Sequence, residues 1–191
     1  MEKTLARLEL RHGPGFGDHG SRVAILSEAM ARHLGFSERE TARLRLAALV
    51  HDIGKTNVDP DVLEKTTPLT ETELAAVRQH PTSGHDQLVD VVHRSVVEAV
   101  LCHHERWDGA GYPNGLKGTD IPLYARVIFV ADVYDVMTTG RSYRSAMSIE
   151  QAGDQLDQMA GSQFDSDIVD AFASIDRSLL KPAPRNGSAI P

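Results

Sequence analysis

At 191 residues, 41% apolar and 25% charged, the chain has the length and balance of one globular domain and none of the bias of a disordered polymer. A formal charge of −7 argues against a broad nucleic-acid-binding face, the single Cys102 excludes an intramolecular disulfide, and no apolar run reaches membrane-spanning length. Met1-Glu2-Lys3 opens no signal peptide, so the expectation is a cytoplasmic protein with neither DNA nor membrane among its partners.

The elements read as helices from end to end. Residues 18–34 place Val23, Leu26, Met30 and Leu34 on one face, with Gly35 as a C-terminal stop. Ser37 with Glu40 forms a capping box, after which Leu44, Ala47, Ala48 and His51 share a face and Gly54 is expected to end the helix. Thr70 with Glu73 repeats the box, and Pro81 marks a boundary just after His80. A helix over about 93–104 carries Val96 and Val100 toward His103 and His104. The seventeen residues Glu105 to Ile121 hold four glycines and one proline, and read as a loop. Pro122 to Thr139 resumes as a very apolar helix with Ile128, Asp132 and Val136 spaced by four. Ser148 with Gln151 caps a helix ending near Gly161, and Asp165 caps a short one carrying Ile168, Val169 and Phe172. With no alternating segment to make a sheet, the fold class is all-α.

Seven side chains of metal-ligand type fall at the ends or inner faces of these helices: His19, His51, Asp52, His80, His103, His104 and Asp132. Burying His51 beside an ionised Asp52 is costly without a positive partner, and a carboxylate at Asp132, after Val127-Ile128-Phe129-Val130-Ala131, raises the same difficulty. A cation answers both. The plainer role of a hydrogen-bonded or helix-end histidine goes to His12, His33, His85 and His93. Neighbours such as His103 and His104 diverge by about 100° on a helix, so both reach one ion only if the helix ends there. Imidazole mixed with carboxylate suits iron, manganese, cobalt, nickel or zinc better than calcium or magnesium. A structural zinc site is a poor fit without thiolates, and two carboxylate-bridged transition-metal ions match the count of donors.

His51-Asp52 with the later Asp132 resembles the HD superfamily of metal-dependent phosphohydrolases. The run His103-His104-Glu105-Arg106-Trp107-Asp108-Gly109-Ala110-Gly111-Tyr112-Pro113 is similar to the signature of its HD-GYP branch, which hydrolyses cyclic di-GMP. The likeness extends from about Arg11 to Phe172. It implies an HD-type helical bundle over 1–177 with a Gly-rich loop at the active site, while Lys181-Pro182-Ala183-Pro184-Arg185-Asn186-Gly187-Ser188 by composition reads as a flexible tail over 178–191. It further implies that His19, His51, Asp52 and Asp132 hold one metal and His80, His103 and His104 a second, with Asp52 bridging. Iron or manganese heads the list of expected metals. By the same resemblance Lys55, Arg141 and Arg144 face the substrate phosphates, though the two arginines also fit a solvated helix end. By the resemblance Gly111, Tyr112 and Pro113 border the active site as substrate-binding residues and offer a docking surface for signalling proteins, though these residue types also fit a tight turn.

The activity implied is metal-dependent hydrolysis of cyclic di-GMP to linear pGpG, and on to GMP, by a hydroxide shared between the ions, with Asp52 and Lys55 as the central residues. The readings kept beside it are a phosphohydrolase for cyclic GMP-AMP or another nucleotide, a di-iron oxygenase, and a non-catalytic cyclic dinucleotide receptor. A second copy of the chain is the other protein partner held open. Some members of the family hold a third metal with a glutamate four residues before the first ligand histidine. That position is Gly15 here, within Gly13-Pro14-Gly15-Phe16-Gly17, so two ions are expected rather than three.

Overall fold

The computed structural model describes residues 16–139 and 146–176. Helix α1 (Phe16–His33) turns Val23, Leu26 and Met30 into the core, and Gly35 closes it as expected. The Ser37–Glu40 capping box starts α2 (Glu38–Val50): the Ser37 hydroxyl accepts from the Glu40 N–H, and the Glu40 carboxylate accepts from the Ser37 N–H at 2.9 Å. Leu44, Ala47, Ala48 and His51 are all buried, which is the face that the sequence spacing implied.

The end of α2 departs from expectation. The helix stops at Val50, His51 is its C-cap, and a short 3-10 helix (Ile53–Asn57) follows. Gly54 is therefore not the stop. A β-carbon there would lie 1.9 Å from the His80 carbonyl oxygen and 2.6 Å from the Gly84 nitrogen, so glycine is required for close backbone approach. That approach lays the 3-10 helix against a later helix and brings His80 beside His51 and Asp52.

Helix α3 (Pro60–Leu63) is a single turn absent from the sequence reading. The Thr70–Glu73 box opens α4 (Glu71–Arg78), and Pro81 sits in the first turn of α5 (His80–Leu88), where its missing N–H costs little. His93 caps α6 (Arg94–Cys102) by accepting from the Ser95 N–H, so its task is local. That helix ends two residues before the expected 104. Helix α7 (Leu123–Thr139) buries Ile128, Val130, Asp132, Tyr134 and Asp135. Helix α8 (Ile149–Gln158) ends before Gly161, where the chain turns and Gly161 donates back to the Phe164 carbonyl. Asp165 caps α9 (Ser166–Ala173) and also accepts from Arg126 at 2.6 Å.

The main core is helix against helix: Val23 and Met30 of α1, Leu44 of α2, Val96 and Val100 of α6, and Ile128 and Val130 of α7 are wholly inaccessible. No strand occurs among the described residues, and no described helix is long and apolar enough to cross a membrane. Between α6 and α7 the loop folds back on itself, with the Tyr112–Pro113 peptide cis. The Trp107 and Asp108 N–H groups donate to the Gln163 and Ser162 carbonyls, which ties the loop to the turn after α8.

Because backbone rather than a movable side chain meets the added methyl, Gly54→Ala should cost about 3 kcal/mol, the upper part of the usual range for overpacking. Urea unfolding measures it, and a stability equal to wild type would show that α5 can retreat freely.

Candidate metal centre

Three helix ends and two helix faces converge on one point. His51 stands at the end of α2, His80 just past the end of α4, and His103 at the end of α6. His19 comes from the first turns of α1, and Asp132 from the buried face of α7. Because α6 stops at Cys102, the chain turns between His103 and His104 and both rings face the same site. Ligand-type atoms fall into two groups, Asp52 with His80, His103 and His104, and His19 with His51 and Asp132, each within 4.8 Å of one another. The seven residues singled out in the sequence are thus brought together. His33 and His85 stand apart from them, and His12, Arg141 and Arg144 lie outside the described residues.

Asp52 joins the two groups with its two oxygens. Oδ2 lies 3.5 Å from His51 Nε2 and 3.9 Å from His19 Nε2, while Oδ1 lies 3.3 Å from His80 Nε2 and 3.9 Å from His103 Nε2. Lys55, one 3-10 turn on, places Nζ 2.6 Å from Oδ2. Burial alone would raise the Asp52 pKa, but His51, Lys55 and His80 outweigh it and hold the carboxyl well below the usual carboxylate range.

The imidazoles test whether a cation fits. His51, His80 and His103 each set Nδ1 2.7–2.8 Å from a backbone carbonyl three residues earlier, those of Ala48, Val77 and Val100. A carbonyl only accepts, so Nδ1 carries the proton and Nε2 of the neutral ring presents a lone pair. His51 Nε2 is buried without any hydrogen-bond partner, and His80 Nε2 faces His103 Nε2 at 3.1 Å. Burial, with the other imidazoles adding to it, holds His103 well below its ordinary value and His104 down to about 3, so neither of these two rings favours a second proton. Converging buried lone pairs beside two ionised carboxylates fit a divalent cation and little else.

His19 works differently. Its Nδ1 donates to Asp135 Oδ2 at 2.7 Å, and its Nε2 lies 3.2 Å from Asp132 Oδ1. Burial opposes the charged ring, yet the two carboxylates push it up to about 9, a sign that this nitrogen is set to meet positive charge. Asp135, itself held by Arg22 through contacts of 2.5 and 2.9 Å, orients the imidazole as carboxylates behind metal-bound histidines do. The sequence reading missed Asp135, although a second carboxylate three residues after Asp132 in so apolar a helix was a readable signal. Glu105 was missed too. Buried beneath the loop, it accepts from the Asn114 and Leu116 N–H groups at 2.7 and 3.0 Å and so fixes the segment around Tyr112.

Asp135→Ala should leave the helices formed while weakening divalent-metal binding about 10- to 100-fold, the usual effect of losing such a partner. Calorimetric titration with Mn(II) measures this, and unchanged affinity would reduce Asp135 to a fold residue.

The sequence profile of the HD domain family matches residues 3–168. The chain is 38% identical over 177 residues to the cyclic di-GMP phosphodiesterase response regulator RpfG of Xanthomonas campestris pv. campestris, covering 89% of this chain and 47% of that protein. It is 37% identical over 156 residues to a 3'3'-cGAMP-specific phosphodiesterase of Vibrio cholerae, covering 81% of this chain and 36% of that protein. It therefore spans less than half the length of these relatives. Among solved structures, Bd1817, an HD-GYP-type protein from Bdellovibrio bacteriovorus, superposes with a TM-score of 0.68 at 24% identity, over 82% of this chain and 51% of that one. Family profile, relatives and helical architecture agree with the buried His51-Asp52 centre: the chain belongs to the HD domain family.

Proposed function

We propose that this chain is a metal-dependent phosphodiesterase that opens cyclic di-GMP to linear pGpG, with slower cleavage to GMP. The observation that carries it is Asp52, whose two oxygens face two groups of imidazoles with converging Nε2 atoms. In this reading His19, His51 and Asp132 with Asp52 Oδ2 hold one ion, and His80, His103 and His104 with Asp52 Oδ1 hold the other. The mixed nitrogen and carboxylate donors favour iron or manganese, with nickel, cobalt or zinc also able to bind. Ions bound there supply a water acidified toward neutral pH and positive charge for phosphoryl oxygens.

The chain's own groups do the rest. Asp135 and the helix-end carbonyls fix the imidazoles, so the donors do not have to reorganise during turnover. His51, His80 and His103 have 0–1% of their side chains exposed, whereas His19 and Lys55 have 25% and 27%, so substrate approaches from the His19–Lys55 side. Lys55 Nζ stands at that edge and offers its ammonium to a phosphate oxygen. We assign Arg141 and Arg144 to the second phosphate, and the Gly111-Tyr112-Pro113 loop to the rim of the site and to partner contact. Two ions, not three, are proposed from Gly15, which lies outside the described residues. Cyclic GMP-AMP is the second reading, favoured by the likeness to the Vibrio cholerae enzyme.

Parallel assays of cyclic di-GMP and 3'3'-cGAMP with Mn(II)-loaded protein decide between the substrates, and turnover of neither overturns the phosphodiesterase reading. Asp52→Ala is expected to abolish hydrolysis and to lower bound metal. Lys55→Ala should keep its metal and lose about 1.5–3 kcal/mol of phosphate interaction, roughly a 10- to 150-fold drop in kcat/KM. Loss of metal from Lys55→Ala would instead make that lysine structural. Elemental analysis counts the ions, and a third fully occupied one refutes the proposed number.

A further inference from the structure

Four of the five imidazoles at the centre have Nδ1 fixed by an oxygen. His51, His80 and His103 use backbone carbonyls, and His19 uses Asp135. His104 is the exception, since among the described residues its side chain makes no hydrogen bond. Its ring is stacked on Tyr112 instead, with centroids 4.9 Å apart and planes 25° from parallel. The guanidinium carbon of Arg78, from the last turn of α4, lies 5.5 Å from the centroid of the same tyrosine ring.

The loop is built to deliver Tyr112 to that place. The Tyr112 N–H donates to the His104 carbonyl at 3.2 Å. A β-carbon on Gly111 would lie 2.3 Å from the Arg106 nitrogen and 2.5 Å from Glu105 Cα, so only glycine lets the loop press onto the turn that carries His103 and His104. Beyond Tyr112, the Glu105 carboxylate pins the Asn114 and Leu116 N–H groups. An imidazole that has lent its lone pair to a cation is electron-poor, and the negative π face of a tyrosine is a favourable neighbour for it.

We infer that Tyr112 is a positioning residue for His104: ring stacking, backed by Arg78, does for this imidazole what a hydrogen bond to Nδ1 does for the other four. This rests on reading His104 as one of the metal-holding residues. It gives Tyr112 a task other than direct contact with substrate, and it brings in Arg78, which stands two residues before His80 at the end of α4. The stacking surface, not the hydroxyl, is the working part.

The test is Mn(II) titration of chelator-stripped protein, with free Mn(II) followed by electron paramagnetic resonance. His104→Ala identifies which binding step belongs to that site. Tyr112→Leu is expected to weaken the same step about 10- to 100-fold, as loss of an outer partner of a metal-bound histidine does, and Tyr112→Phe to restore it. Arg78→Ala, at an exposed position, should weaken that step less. Wild-type affinity in Tyr112→Leu overturns the inference, and so does a Tyr112→Phe protein as weak as Tyr112→Leu. If Tyr112→Leu loses its helical circular dichroism, Arg78→Ala decides, and unchanged Mn(II) binding then overturns it. Folded wild-type protein that takes up no Mn(II) overturns the metal-centre reading itself, a result distinct from selective failure at the Tyr112 step.

Discussion

Lone pairs of buried imidazoles converging on one another are a problem that a protein interior cannot solve with its own hydrogen bonds. In this fold the convergence is produced by helix endings. His51, His80 and His103 each stand at or just past the end of a helix, and each gives its Nδ1 proton to one of that helix's last four carbonyls. Those carbonyls are the ones that a helix leaves without an internal partner, so ending the helix and fixing the tautomer are one act. The same endings turn the negative poles of α2, α4 and α6 toward a single point, which favours positive charge there. Each ending contributes a ring, a tautomer and a share of the potential.

This dependence explains which parts were legible in the sequence. Capping boxes at Ser37, Thr70 and Ser148 and the cap at Asp165 are local chemistry, readable within four residues, and all four form. Of the seven ligand-type residues, His51, Asp52, Asp132 and the pair His103-His104 were readable from local difficulties of burial or spacing, whereas His19 and His80 were readable from residue type and the resemblance to the family. What escaped is what depends on partners far along the chain. Asp135 meets His19 across 116 positions, and Gly54 owes its identity to the His80 carbonyl of another helix. Glu105 reads as one more charge until the loop folds back and presents two N–H groups to it. Helix α2 ends at Val50 rather than at Gly54, and the glycine serves close backbone packing instead, a use that looks the same in sequence as a helix stop.

Fold and centre are therefore not separable layers. Helix α7 is among the most apolar segments of the chain, yet it carries Asp132 and Asp135 one turn apart in its buried face. Asp132 faces the cluster, while Asp135 is neutralised by Arg22 and accepts a hydrogen bond from His19 Nδ1, both from α1. Two such carboxylates would destabilise an ordinary core helix. Here they are part of what registers α1 against α7, because the ion pairs form only when His19 and Arg22 lie opposite Asp135.

A cyclic dinucleotide carries two phosphate charges, and a chain of formal charge −7 is an unwelcoming surface for it at long range. Screening confines that repulsion to about 8 Å at physiological salt, so what matters is the charge met at the mouth of the site. Exposure is graded in a way that suits the proposed substrate: the rings that hold their geometry through backbone carbonyls are sealed, and the ammonium of Lys55 stands at the open edge. Because Nζ already lies against Asp52 Oδ2, the charge is held in place and does not have to be ordered when a phosphate arrives. Lys55, three residues after Asp52, is kept there by the 3-10 helix, whose position depends in turn on Gly54. The path from one missing methyl group to the placement of the charge proposed to meet phosphate is two contacts long.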